Sequence, residues 1–120
     1  MGNFVHLHVH TEYSILDGAT KIAVAAKKAK ALGMPALAIT DHGNMYGAVN
    51  FFDACEKEGI KAIIGTEFYV CDDHAEKTGK PKLRHLVLLC KNEEGYKNIS
   101  LLNAIAFRDG FHYKPRIDLK

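Results

Sequence analysis

The order of apolar and polar positions divides the chain into strands and helices in turn. In an extended run, successive side chains point to opposite faces, so residues 4–10 would set His6, His8 and His10 on one face with Phe4, and Val5, Leu7 and Val9 on the other. From Thr20 onward, Ile22, Ala25, Ala26, Ala29 and Leu32 recur at three- and four-residue steps among Lys21, Lys27, Lys28 and Lys30, which predicts an amphipathic helix stopped by Gly33. Residues 36–40 form a short continuous apolar run, the pattern of a strand covered on both faces. A second helix over 45–58 would turn Ala48, Val49, Phe52 and Cys55 inward and end at Gly59, and residues 60–70 would form the next strand. Strands and helices alternating in this way imply a parallel sheet with right-handed crossovers. Residues 71–82 are polar and lack helical periodicity, so the strand at 84–91 is expected to return antiparallel, with Glu67 opposite His85 if the hairpin folds about Glu76. A third helix over 93–107 would present Tyr96, Ile99, Leu102 and Ala106 inward, and residues 108–120 form a turn-rich tail, frayed or docked.

Composition narrows the class. The 120 residues, 48% of them hydrophobic, suffice for one domain with a modest core. A formal net charge of +2 gives no strong field toward nucleic acid or an anionic membrane. Without a long apolar run or a basic-then-apolar leader, no membrane partner is expected and the expected location is the cytoplasm. Cys55, Cys71 and Cys90 are widely spaced and odd in number, so they read as reduced, mostly buried thiols.

Candidate chemistry gathers at the strand ends. Functional groups of α/β folds collect at the C-terminal ends of parallel strands, which here supply His8 and His10, then Asp41 and His42, then Glu67. The hairpin adds His85 and the first loop adds Asp17. Taken singly, each has a plain structural reading, such as a helix cap or a core histidine; together they point to a metal site. Imidazoles suit zinc, manganese or iron, and Asp17 and Glu67 could bridge two ions, as metal-assisted hydrolysis of phosphate esters requires.

Several stretches together resemble the polymerase-and-histidinol-phosphatase (PHP) domain. They are His8-Val9-His10, residues 13–18, residues 33–44 with Thr40-Asp41-His42-Gly43-Asn44 at their end, Gly65-Thr66-Glu67 and Arg84-His85-Leu86. More narrowly, they are similar to the PHP domains of bacterial DNA polymerase III alpha subunits, a likeness that residues 95–99 and 114–118 extend. The resemblance implies an α/β fold, a distorted seven-stranded β/α barrel, with up to three divalent ions at its rim: zinc first, manganese or iron as alternatives. Carried over by position, His8 and His10 would hold one ion, Glu67 would bridge to a second that His85 also holds, and Asp17 and His42 would serve a third. Glu67 and Asp17 are then the catalytic bridging carboxylates, and Asp41 orients a histidine from behind. His6 lies outside the matched pair and takes a buried or supporting role.

The family's barrel is longer than this chain, and neither Cys90, His112 nor Asp118 stands in the context of its remaining ligands. Residues 1–120 are therefore expected to be an N-terminal fragment holding about half a barrel, able to self-associate through exposed sheet edges. The implied parent is a replicative DNA polymerase working with DNA and other replisome subunits. Its PHP domain would be a metal-dependent phosphoesterase acting as a 3′→5′ proofreading exonuclease, with nucleotidyl transfer residing elsewhere. The alternatives are a free-standing phosphoesterase of the histidinol-phosphatase type, or a non-catalytic structural or interaction module.

Overall fold

The computed structural model describes residues 3–120 as an α/β fold in the order α1 (Ile22–Ala31), β1 (Ala36–His42), α2 (Ala48–Glu58), β2 (Lys61–Val70), β3 (Arg84–Leu89), α3 (Glu93–Arg108) and β4 (Arg116–Ile117). The sheet is mixed. β1 runs parallel to β2 from Ala36↔Lys61 to His42↔Glu67, and β3 returns antiparallel on the other edge of β2. The unalternating apolar run of β1 is buried throughout except at His42; α1 and α2 cover the face of Leu37 and Ile39, which pack with Ile22, Ala26, Ala29, Phe51 and Cys55. No helix is long and apolar enough to cross a membrane among the described residues. All three cysteines are free, and burial pushes the Cys55 thiol up to about 11, away from the reactive thiolate.

Four expectations are corrected here. Residues 4–10 do not form a ladder strand. Ala38 N–H donates to the His6 carbonyl at 3.0 Å and Thr40 N–H to the Val9 carbonyl at 2.8 Å. Between those two bonds β1 advances two residues and the segment three, and one extra residue breaks the period-two alternation. Phe4, His6 and Leu7 are consequently exposed, and the ring of His6 lies edge-on to Phe4 at 4.7 Å instead of supporting the other histidines from a buried position.

In α2 the inward aromatic is Phe51, 1% exposed, while Phe52 is 53% exposed and Val49 also faces out. Ala48, Phe51 and Cys55 satisfy the 3.6-residue period as well as Ala48, Phe52 and Cys55 do, so packing against β1 decides between adjacent phenylalanines. In α3, Ile99 and Ala106 are buried but Tyr96 is not. That helix starts from a cap the periodicity does not reveal, Asn92 Oδ1 accepting the Gly95 N–H at 2.9 Å.

The hairpin register is the fourth. Glu67 pairs with Val87, and His85 with Tyr69. The shift of two residues preserves the face, so His85 stays on the side of Glu67 as a diagonal neighbour. At Gly65 a Cβ would fall 2.5 Å from the Leu88 carbonyl oxygen, so this close approach of β3 requires glycine.

The tail docks. Arg116 and Ile117 extend the sheet beyond the end of β1, parallel to Tyr69 and Val70 of β2. The guanidinium of Arg116 is buried, its Nε donating to the Gly110 carbonyl at 2.7 Å and its Nη2 to the carbonyls of His74 and Glu76 at 2.9 and 3.0 Å. Beside it, Asp118 accepts the His74 backbone N–H at 2.9 Å and its ring Nδ1 at 2.6 Å. These bonds hold the Asp118 carboxyl down at about 2, against the opposing effect of burial. A depressed folded value contributes stability above the ordinary carboxylate range and loses it as pH falls toward 2. Asp118→Asn should therefore cost on the order of 2 kcal/mol at pH 7, with the gap in urea midpoint shrinking between pH 4 and pH 2.5. A gap independent of pH would assign the effect to shape instead of charge.

Candidate metal centre

The register of the sheet builds the site. Glu67 sits opposite His42 at the C-terminal end of the parallel pair, buried, and four imidazoles converge on it. Its Oε2 lies 2.7 Å from His8 Nε2, 2.9 Å from His10 Nε2 and 3.8 Å from His42 Nδ1, and its Oε1 lies 3.1 Å from His85 Nδ1. Asp17 Oδ2 meets the far side of His42, 3.0 Å from Nε2. The rings of His10 and His42 stack with centroids 4.0 Å apart. Burial raises the Glu67 carboxyl, but the His8 hydrogen bond and the charges of His42, His10 and His8 outweigh it and hold the group below the ordinary carboxylate range. The centre therefore carries a carboxylate at neutral pH.

Among the described residues three groups have ligand atoms within 4.8 Å of one another: His8–His10–Glu67 and His10–Asp17–His42, which share His10 at the rim, and Asp73–His74–Asp118 at the docked tail. His85 touches Glu67 outside these groups. His6 is not among these groups. Asp41 has a different role from the one expected: it faces no imidazole nitrogen. Its Oδ1 accepts the Thr11 N–H at 2.6 Å and the Ser14 hydroxyl at 2.7 Å, and its Oδ2 accepts the Thr11 hydroxyl at 2.7 Å. Because Ser14 Oγ in turn accepts the His42 backbone N–H at 3.1 Å, Asp41 ties the loop carrying Asp17 to the end of β1.

Two further residues join the centre. Tyr69 stacks on His42 at 6.0 Å and meets His85 edge-on at 5.4 Å, and the Lys114 ammonium lies 5.6 Å from the Tyr69 centroid. Tyr69 was accessible to period-two reasoning, standing two residues after Glu67 on one face of a strand. Lys114 opens the 114–118 stretch that carries part of the family likeness, but its charge and spacing alone do not place it at the site.

Residues 6–120 match the family model of the PHP domain. The chain belongs to the PHP family. Among curated PHP relatives, it is 52% identical over 118 residues to DNA polymerase III subunit alpha of Helicobacter pylori, covering 98% of this chain and 10% of that protein. It is 51% identical over 120 residues to DNA polymerase III subunit alpha of Treponema pallidum, again with 10% of the relative covered. The PHP chain thus spans about a tenth of the length of the relatives it matches. Of solved structures, an amidohydrolase from Chromobacterium violaceum superposes with a TM-score of 0.57 at 22% identity, over 87% of this chain and 34% of that one. A protein from Bifidobacterium adolescentis provisionally assigned as a metal-dependent phosphoesterase superposes at 0.53 and 21% identity, with the same coverage. At such identities the likeness is one of fold.

The PHP residues present suit a metal on physical grounds. His10 Nδ1 lies 2.8 Å from the Thr40 carbonyl, which can only accept, so Nδ1 carries a hydrogen and Nε2 is the nitrogen turned toward Glu67 Oε2. His42 Nδ1 is buried without any hydrogen-bond partner and points toward the same oxygen from beyond hydrogen-bonding range. Imidazole nitrogens gathered around one buried carboxylate, one of them without a partner, form a donor set that fits a divalent ion.

Proposed function

We propose that this chain is part of the PHP domain of a bacterial replicative DNA polymerase alpha subunit, and that the domain is a metal-dependent phosphoesterase with 3′→5′ exonuclease activity. The observation that carries this reading is the convergence of His8, His10, His42 and His85 on the buried Glu67, in a chain about half identical to polymerase alpha subunits. In this reading His8 and His10 hold one ion with Glu67, Glu67 and His85 a second, and Asp17 with His42 a third. Divalent ions, zinc first and manganese or iron as alternatives, supply an activated water and neutralise phosphate charge when bound. The protein's part is to orient the His10 imidazole through the Thr40 carbonyl and to keep Glu67 ionised.

A barrel continuing beyond these strands is supported by the 34% share of each structural neighbour that this chain covers. Residues 1–120 are then an N-terminal portion of about half that barrel, and its sheet edges are surfaces for self-association or for the rest of the barrel. DNA and other replisome subunits are the partners this reading assigns, in the cytoplasm.

The metal-loaded parent polypeptide should shorten an end-labelled single-stranded primer stepwise from its 3′ end, and chelation should stop it. Intact primer ends together with release of phosphate from small phosphomonoesters would establish the histidinol-phosphatase-type alternative instead. Loss of neither substrate would leave a structural module.

A further inference from the structure

Beside the metal centre lies a cleft of about 380 Å³ whose lining includes Asp17, His42, Tyr69, Lys114, Ile15 and Leu16. Three observations single it out. Lys114 is the lysine of that lining, and among the described residues no carboxylate lies within 4.0 Å of its ammonium. Its one recorded partner is the face of Tyr69 at 5.6 Å, near the outer limit for a cation–π contact, which leaves its N–H groups available to an anion.

The backbone holds it there. Tyr113 adopts φ 62°, rare for a residue with a side chain, in a tight turn where His112 N–H donates to the Lys114 carbonyl at 3.1 Å. The next residue, Pro115, packs so closely on Gly43 that a Cβ there would lie 2.9 Å from its Cγ, and Arg116 then locks the segment by its three carbonyl bonds. Ile15 and Leu16, each 88% exposed, and the exposed Tyr46 give the lining an uncovered apolar wall. A small phosphate ester has no use for that wall, whereas a nucleobase can lie on it without its edges being read.

We propose that this cleft is the subsite for the nucleotide adjoining the scissile phosphate, with the Lys114 ammonium on its phosphate and its base against Ile15, Leu16 and Tyr46. The assignment rests on the phosphodiesterase reading above and names its substrate as single-stranded nucleic acid. Lys114 binds and positions; the bond-breaking chemistry belongs to the metal centre.

Fluorescence anisotropy with a labelled oligothymidylate tetramer tests this on the 120-residue chain. Lys114→Met, which keeps the aliphatic stem over Tyr69, should weaken binding about tenfold and lower the slope of log affinity against log salt by about 0.7, the share of one phosphate contact on a single strand. Lys114→Arg should stay within about threefold of the unmodified chain. Lys120→Met, which removes a tail lysine paired with Asp73 outside the cleft, should leave affinity and slope unchanged and so controls for net charge. Absence of tetramer binding by the unmodified chain, equal binding by Lys114→Met, or an equal loss in Lys120→Met overturns the subsite whatever the exonuclease assay gives. Lys114-dependent binding without nucleotide release from the parent polypeptide overturns the exonuclease reading, and with it the scissile phosphate, while keeping the cleft as a single-strand binding site.

Discussion

Glu67→Gln should abolish metal binding at the His8–His10–Glu67 group while leaving the fold intact. The substitution keeps the volume of a buried side chain but removes the anion on which His8, His10, His42 and His85 converge. An ion present at a hundredfold excess over its dissociation constant stabilises the native state by about 2.7 kcal/mol. The unmodified chain should show that gain as a metal-dependent rise in melting temperature, and Glu67→Gln should lose most of it. His8→Ala should lower metal stoichiometry in part, because one contributor to the His8–His10–Glu67 set is removed. His6→Ala should leave it unchanged, since that ring is exposed and packed against Phe4. Elemental analysis after dialysis reads all three, and equal losses would dismiss the distinction between His6 and His8.

Asp41→Ala should be the most destabilising single change in the rim. Its carboxyl is buried and takes one backbone N–H and two hydroxyls at 2.6 to 2.7 Å, so alanine strands three donors in a space closed to water. Breaking a buried arrangement of this kind costs about 3–5 kcal/mol. Urea denaturation measures it, and a loss below about 0.5 kcal/mol would mean that residues 11–18 are held by something else. The same variant should release Asp17 from His42, so the ion assigned to that pair should be lost before the one at Glu67.

What the sequence reveals differs from element to element for physical reasons. β1 is legible because an unbroken apolar run has few alternatives, and its parallel pairing with β2 follows from the crossover. The alignment of His42 with Glu67 could be anticipated only as convergence at strand ends; the register itself depends on packing between the strands. The hairpin turn has no sequence marker of its midpoint, so the pairing of His85 was displaced by two residues, and the site tolerated the error because even displacements keep the face. The first segment failed differently: an inserted residue in the pairing with β1 leaves no trace in an alternating pattern. Asp41 looked like a histidine's support because it precedes His42 in the chain, yet its oxygens point back into the loop. Lys114 and Arg116 stand in the 114–118 stretch that shares the family likeness, but their roles are not legible from it, since a basic residue in a polar tail ordinarily reads as solvated.

The docking of β4 also bears on synthesis. The rim histidines emerge from the ribosome in chain order, and β1, β2 and β3 can pair as they appear. The latch comes last, because Arg116 closes on a carbonyl 42 residues upstream. Until then the end of β2 beyond His42 offers unpaired backbone groups beside the forming metal centre. A nascent chain is therefore most vulnerable to edge-to-edge association during the interval between the completion of the hairpin and the arrival of this segment.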